Sequence, residues 1–423
     1  METITTDVVV VGLGAFGSAA LWRLAARGVD VVGVDRYGLG HHMGSSHGAT
    51  RLFRIACQEH PGLTPIAQKS LELWTALGAA NGETYVRQTG CLSTGSPSSR
   101  PVSGVTAAAA RAGLDVTHLD HDELLRNFPQ YGGTAEDTVG VLDPGAGIRY
   151  PEKNVRAQGE AAIELGARVL TDTRVTAVEL VDGGVRVTTP TLVIEASQAV
   201  VAAGAWNGKL VPGLPLRPRR TPLYWFKPKD DAAASFALDD FPAFIHELPD
   251  GRHLWGHGSD EDYLVKIGME DSGANFADTD ADTVDRYIHP RDDIEQLLVV
   301  GGRRVPGDRP VPVKAIPCMV TNSPDGQFLV GRPDGDPRLV IAGGDHGHGF
   351  KHAAGVGELL AQIAVGETPY TAIDFLDRIA SRTAPSRRRG RCTPVPWRRS
   401  ARERATGRSG HRRVARHRGR RCA

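Results

Sequence analysis

Asp7-Val8-Val9-Val10-Val11-Gly12-Leu13-Gly14-Ala15-Phe16-Gly17 opens a βαβ unit that decides the fold of the chain. The valines ahead of Gly12 show no polar alternation, the pattern of a strand covered on both faces. Ala15 to Arg27 then carries apolar residues at helical spacing, and Val29 to Val34 is a second apolar strand that ends at Asp35. In such a unit Gly12 permits the tight turn, Gly14 lets the backbone approach a pyrophosphate, and Gly17 permits close helix packing. The helix amino terminus faces the phosphates with unpaired N–H donors. Asp35 lies 18 residues beyond Gly17, where a carboxylate can accept hydrogen bonds from ribose hydroxyls. The glycine pattern alone also makes ordinary turns. With both strands, the helix and Asp35 in register it indicates a dinucleotide site and leaves NAD and FAD both open.

Beyond this unit the pattern predicts a helix over Leu63 to Leu77, strand-like pieces such as Thr84 to Leu92, and a helical region near Arg111. Residues 151–166 read as helix, and Arg168 to Val178, Gly184 to Thr188 and Leu192 to Ala196 as a meander of antiparallel strands. Ala199 to Ala203 is a compact strand running into Gly204, Ala205 and Trp206. From Pro215 to Ile267 short strands such as Leu223 to Lys227 and Leu264 to Gly268 predict a separate antiparallel sheet. The α/β character returns with a strand at Leu339 to Gly344 and a helix from Phe350 to Val365, so the nucleotide domain is discontinuous.

The 423 residues, 40% of them apolar and 50 of them glycine, suit a globular protein of two or three cores. The net charge of +1 hides two opposite parts. Of 50 basic and 49 acidic residues, residues 381–423 hold 16 Arg and one Glu, leaving 34 basic and 48 acidic residues before them. An acidic body disfavours nucleic acid as its partner. The tail has almost no aliphatic residues and no period, so its composition predicts no folded core. Its exclusive use of Arg over Lys is the signature of a shifted, GC-rich reading frame; a nucleic-acid-binding or membrane-binding arm is the rival. Cys57, Cys91, Cys318, Cys392 and Cys422 form no CxxC pair or disulfide framework, which suits a reducing compartment. The first apolar run has no basic segment before it and enters a glycine turn, so it reads as a strand and not a signal peptide. No stretch approaches the ~20 apolar residues that span a bilayer. A cytoplasmic protein with no membrane partner is expected.

Four further segments carry chemistry. Gly44-Ser45-Ser46-His47-Gly48-Ala49-Thr50-Arg51-Leu52-Phe53-Arg54 brings donors and positive charge to one glycine-bounded loop. Gly343-Gly344-Asp345-His346-Gly347-His348-Gly349-Phe350-Lys351 follows a buried strand and opens a helix, so backbone can approach a ligand beside the positive end of the helix dipole. Lys266 interrupts the apolar strand Val265-Lys266-Ile267-Gly268, and Cys318 sits in Lys314-Ala315-Ile316-Pro317-Cys318-Met319. Taken with Ala203-Gly204-Ala205-Trp206 and Cys318-Met319-Val320-Thr321-Asn322-Ser323-Pro324-Asp325, in this order over residues 5–380, the sequence resembles the monomeric sarcosine oxidase and N-methyltryptophan oxidase family. That family is part of the D-amino acid oxidase superfamily of FAD enzymes.

The resemblance implies FAD, with His47 and Arg51 against the flavin ring and Lys266 poised over it where oxygen is reduced. It implies that Arg54 and Lys351 hold a substrate carboxylate, for which a planar fork of donors is suited. It implies a thioether between Cys318 and the flavin 8α carbon. Val175, Gly204, Gly347, His348 and Gly349 complete the expected cofactor contacts with Gly12, Gly14, Gly17 and Asp35. Two departures bear on the substrate. The family has an active-site His two residues beyond Gly268, where this chain reads Met269-Glu270, and relatives carry Tyr where Cys57 stands. Both positions are expected to line the pocket, with Glu270 among the substrate ligands, so the amine side differs from a sarcosine site.

The expected fold is therefore α/β with mixed α+β character: a Rossmann-like FAD-binding domain (residues 1–84, 150–215 and 318–380) with an inserted antiparallel-sheet substrate domain (85–149 and 216–317). The expected activity is a monomeric amine oxidase that converts a secondary amino acid to an imine and O2 to H2O2. A flavin dehydrogenase or a biosynthetic imino-acid oxidase of the same fold is the first alternative. A nucleic-acid-binding protein acting through the Arg-rich tail is the second.

Overall fold

The computed structural model describes residues 1–229, 232–260, 264–269, 278–294 and 311–377. Glu270 and the Arg-rich segment from Ser381 lie outside the described residues.

Val8 to Val11 are buried because their strand, Glu2–Val11, has a parallel neighbour on each side and helices over it. The neighbours are Val31–Val34 and Leu192–Val201, so the βαβ unit forms as its pattern predicts. Arg168–Leu170 extends the sheet beyond Val31–Val34, and Leu339–Gly343 pairs in parallel with the far half of Leu192–Val201. Leu329–Gly331, Gly184–Thr188 and Ala177–Val181 complete eight strands through antiparallel pairs.

Two readings of this region change. Arg168 to Val178 is not one meander strand: its first three residues join the parallel sheet, and the chain turns at Asp172 (φ 52) before a new strand begins at Ala177. Leu192 to Ala203, read as two strands, is one strand to Val201. Its first half alternates because it pairs with an exposed hairpin. Its last three residues, Ala199 to Val201, are continuously apolar because the sheet interior covers both faces.

A second eight-stranded sheet runs in the order Lys314–Asn322, Arg217–Phe226, Val265–Met269, His253–His257, Ala243–Glu247, Cys91–Gly95, Val139–Asp143, Thr117–Leu119. All its pairs are antiparallel except that of Ala243–Glu247 with Cys91–Gly95. The segment Thr84 to Leu92 is broken by Gly90 (φ 92), and its first part, Val86–Arg87, joins Arg51–Phe53 and Gly147–Arg149 in a small third sheet. All described residues belong to one compact unit.

Helix Ala15–Ala25 packs between Pro151–Glu164 and Ala353–Val365. The approach to Ala353–Val365 is close because Gly357 has no side chain: a Cβ there would sit 2.5 Å from the Ala19 carbonyl carbon and 2.8 Å from Ala20 N. Arg23 on the first helix and Arg27 just beyond its end reach Glu358 on the second, both at 2.6 Å. Replacing a helical Gly by Ala favours the helix by about 0.5–1 kcal/mol. Overpacking against backbone costs about 1–3 kcal/mol and outweighs it. Gly357→Ala is therefore expected to lose roughly 1–2 kcal/mol, seen as a lower urea midpoint at unchanged m. A midpoint at or above that of the wild type removes the packing argument.

Candidate active site

One cavity of about 910 Å³ runs from the Gly12 turn to Lys351, at the upper end of the range for small-molecule sites. At one end Gly12 takes φ 87, and a Cβ there would lie 2.6 Å from Ala203 Cα, so the two glycine turns touch. Gly14, Ala15 and Phe16 line the cavity at the amino terminus of their helix, and Ser46 Oγ accepts from Ala15 N at 3.0 Å. Gly17 does not line the cavity; a Cβ there would overlap the Gly12 carbonyl oxygen, so its part is packing alone. Asp35 accepts from Leu13 N at 2.6 Å and Tyr37 N at 2.8 Å, which holds its carboxylate at the cavity wall. Burial raises its pKa, and His41, 3.5 Å away, works against that rise. Val175 and Gly204 line the same end.

In the middle of the cavity Arg51 lies on Cys318, with Nη2 3.4 Å from Sγ and 3.1 Å from the Ser45 carbonyl it donates to. These residues are 267 positions apart. Positive charge at Cys318 is expected to favour a thiolate, but burial prevails and raises the thiol, with Arg51 only moderating the rise. Asp345, anchored by Thr321 N at 2.9 Å, also lines this stretch and is pushed up to about 6 by burial.

Arg54 and Lys351 both line the far end of the cavity. Between them stands an acid that motif reading did not single out. Glu59 Oε1 accepts from Arg54 Nη2 at 2.7 Å and from Lys351 Nζ at 2.8 Å. Burial would raise Glu59, but Lys351 and Arg54 together hold it well below the usual carboxylate range. Burial prevails at Lys351, which is pushed down, while at Arg54 the pull of Glu59 overcomes burial and the group is raised. The shared carboxylate carries the larger effect because two cations act on it. Cys57 does not line the cavity: it is fully buried behind Arg54, donates to the Arg54 carbonyl at 3.8 Å, and is pushed up to about 12 by burial. Of the other departure, Met269-Glu270, Met269 lines it, while Glu270 lies outside the described residues.

Gly347 (φ 76), His348 and Gly349 line the cavity ahead of Lys351. A tight turn, Phe350–His352, precedes the helix Ala353–Val365, so the helix opens three residues later than its pattern suggests. Burial lowers His348 to about 4, which makes it neutral, with Nε2 3.2 Å from the Gly326 carbonyl. His47 and Lys266 lie one layer behind the cavity wall. His47 is lowered to about 3 by burial and then by Arg51, and its ring nitrogens have no hydrogen-bond partner among the described residues. Lys266 Nζ donates 2.7 Å hydrogen bonds to the carbonyls of Gly48 and Thr50. Asp345, Glu59, Thr50 and His257 are the polar residues that motif reading missed. Glu59 alone had a local signal, an acid close after Arg54.

Sequence and fold point the same way as this geometry. Residues 7–363 match the family of FAD dependent oxidoreductases, and the chain belongs to it. It is 32% identical to a monomeric sarcosine oxidase of Streptomyces avermitilis over 387 residues, 90% of this chain and 99% of that protein. It is 29% identical to an N-methyl-L-tryptophan oxidase of Salmonella typhi over 373 residues, 86% of this chain and 95% of the relative. The fold is shared with NikD, an amino acid oxidase essential for nikkomycin biosynthesis (TM-score 0.74, 22% identity, 88% of this chain and 97% of that one). The chain is thus an FAD-dependent oxidoreductase of mixed α/β, Rossmann-like fold.

The residues present fit that cofactor. Gly12 and Gly14 form a cradle beside a helix amino terminus, Asp35 holds a carboxylate at the cavity wall just past the second strand, and a cation rests on the only cysteine that lines the cavity among the described residues.

Glu59→Gln is expected to lower stability at pH 7 by roughly 3–5 kcal/mol, because two buried cations lose their shared anion. Glu59 has its folded pKa well below the ordinary 4.5, so its stabilising charge is complete above pH 4.5 and is lost as pH falls through the folded value. The difference between wild type and variant in urea unfolding therefore narrows below pH 4.5. A difference that stays constant down to pH ~3 contradicts the bridge.

Proposed function

We propose that this chain is an oxidase of a secondary amino acid, N-methyl or cyclic, which converts its C–N bond to an imine and passes the electrons to O2 as H2O2. The observation that carries this reading is the buried pair Arg54 and Lys351 at the cavity wall, drawn together by one carboxylate. A fork of donors beside a point charge suits a carboxylate ligand, and an amino acid anchored there turns its nitrogen and α-carbon toward the middle of the cavity. The sarcosine and N-methyltryptophan oxidases it resembles act on N-methyl amino acids, which supports the secondary amine.

FAD, when bound, supplies the two-electron chemistry. The chain supplies position and field. Gly12, Gly14 and the helix from Ala15 receive the pyrophosphate, Asp35 the ribose, and Val175, Gly204, Gly347, His348 and Gly349 close around the remainder. Arg51 keeps positive charge on Cys318, and we place a thioether to the flavin at that sulfur. Lys266 and His47 lie behind the wall beside it, with Lys266 the cation that assists oxygen. Ile245 and Trp255, cross-strand partners that both line the cavity, give the amine side an apolar, aromatic wall, which suits the apolar substituent of an N-methyl or cyclic amine. In this reading residues 1–84, 150–215 and 318–380 serve the cofactor, and 85–149 and 216–317 the substrate. The enzyme acts as a cytoplasmic monomer without nucleic-acid or membrane partners. No helix among the described residues is long and apolar enough to cross a membrane.

The purified enzyme is expected to keep yellow flavin after acid denaturation, and Cys318→Ala to release it; free flavin from the wild type ends the thioether assignment. A peroxide assay across N-methyl and cyclic amino acids should find turnover. Slow reaction of the reduced enzyme with oxygen in stopped flow would instead indicate a dehydrogenase.

A further inference from the structure

His257 and Lys266 are cross-strand partners on His253–His257 and Val265–Met269, so their side chains leave the sheet on the same face. They converge on Thr50. Lys266 Nζ donates to the Gly48 and Thr50 carbonyls and has a third contact, Thr50 Oγ1, at 3.4 Å. Thr50 Oγ1 lies 2.6 Å from His257 Nε2, and His257 Nδ1 lies 2.6 Å from the Gly258 carbonyl. Exposures are 0% for Lys266, 3% for His257 and 5% for Thr50, so bulk water does not compete for these contacts.

The protons along this chain of contacts have one consistent arrangement. The Gly258 carbonyl only accepts, so His257 Nδ1 carries the hydrogen. Burial, then Lys266, lowers His257 to about 4, so the ring is neutral and Nε2 is bare. A bare Nε2 accepts, and the Thr50 hydroxyl must point at it. Thr50 Oγ1 then presents only lone pairs to Lys266, as the two carbonyls do. Three acceptors match the three N–H donors of an ammonium, whereas an amine would set its own lone pair against one of them. The face of Trp225, 5.0 Å from Nζ, also favours the cation. Opposing this, burial, Arg51 and Lys314 lower Lys266 well below 10.5, while Cys318 and Glu152 pull the other way; His47 stands nearby and is neutral.

We propose that His257, acting through Thr50, is a positioning residue that holds Lys266 as an ammonium behind the cavity wall, where its field assists the oxygen half-reaction. The inference rests on Lys266 being the cation that serves oxygen. His257 itself does not line the cavity. Without its acceptor the Thr50 hydroxyl is free to turn and donate to Lys266, which stabilises the amine.

The test uses the full-length holoenzyme with lysine labelled with 13C at Cε. The chain has eight lysines, and Lys266→Met assigns the signal of interest. In His257→Phe and Thr50→Val the titration midpoint of Lys266 is expected to fall. His257→Gln, whose amide oxygen can accept from Thr50, should return it toward the wild type. In stopped flow His257→Phe should slow reoxidation of the reduced flavin about tenfold while changing its reduction by substrate less than about twofold. A Lys266 midpoint that does not move in either His257→Phe or Thr50→Val overturns the relay. Wild-type reoxidation in Lys266→Met overturns instead the oxygen role on which it rests, and the functional half of the inference with it.

Discussion

The cofactor half of the molecule depends on the contact of two strand ends at Gly12. Glu2–Val11 and Leu192–Val201 run parallel with Val11 opposite Val201, so both chains turn at the same height. Any side chain at Gly12 would push against the Ala203 backbone and part the turns. Asn207 fastens the arrangement: its Oδ1 accepts from Ala203 N and its Nδ2 donates to the Ala342 carbonyl, both at 2.7 Å. That second bond ties in the end of Leu339–Gly343, from which the loop carrying His348 and Lys351 departs. Three strand ends are thereby held together at the carboxyl edge of a parallel sheet, where ligands of such folds bind.

The opposite end of the cavity is a problem in burying positive charge, and the chain solves it in two ways. Arg54 and Lys351 share Glu59, so two desolvated cations are offset by one anion and keep net attraction for a carboxylate. Lys266 and Arg149 use carbonyls and aromatic faces. Arg149 is 1% exposed, donates to the Leu52 carbonyl at 2.8 Å, and lies 4.9 to 5.6 Å from the rings of Phe350, Trp74 and Phe53. Burial pushes it far below its ordinary value. Charge held this way is not cancelled, and it leaves the floor of the cavity positive toward an anionic ligand.

The glycine turns, Asp35, Arg51, Arg54, Lys351 and Cys318 were legible because each sits in a short segment whose composition has a chemical meaning. Val175 and Gly204 line the cavity with them. His47 and Lys266 were legible as residue types but not in depth, since burial behind Gly48 depends on how Val265–Met269 crosses the loop. Asp345, Thr50 and His257 escaped because a single acid, hydroxyl or imidazole in a loop or strand has no periodic or spacing signal, and Glu59 because its one signal, an acid close after Arg54, does not fix its direction. Cys57 was misplaced for a related reason: three residues after Arg54 in an irregular loop, its direction is not set by any period.

What the amino-acid order determined by itself is local: which segments are covered on both faces, where the chain must turn, and which loops are rich in donors. Side-chain size, apolar period and glycine content act over a few residues and survive in any context. Only the tertiary structure decided that Arg51 rests on Cys318, that Glu59 joins Arg54 to Lys351, and that His257 reaches Lys266 through Thr50. Those contacts come from sheet register and helix packing between segments as many as 292 residues apart, and their protonation is set by burial that no single segment can provide.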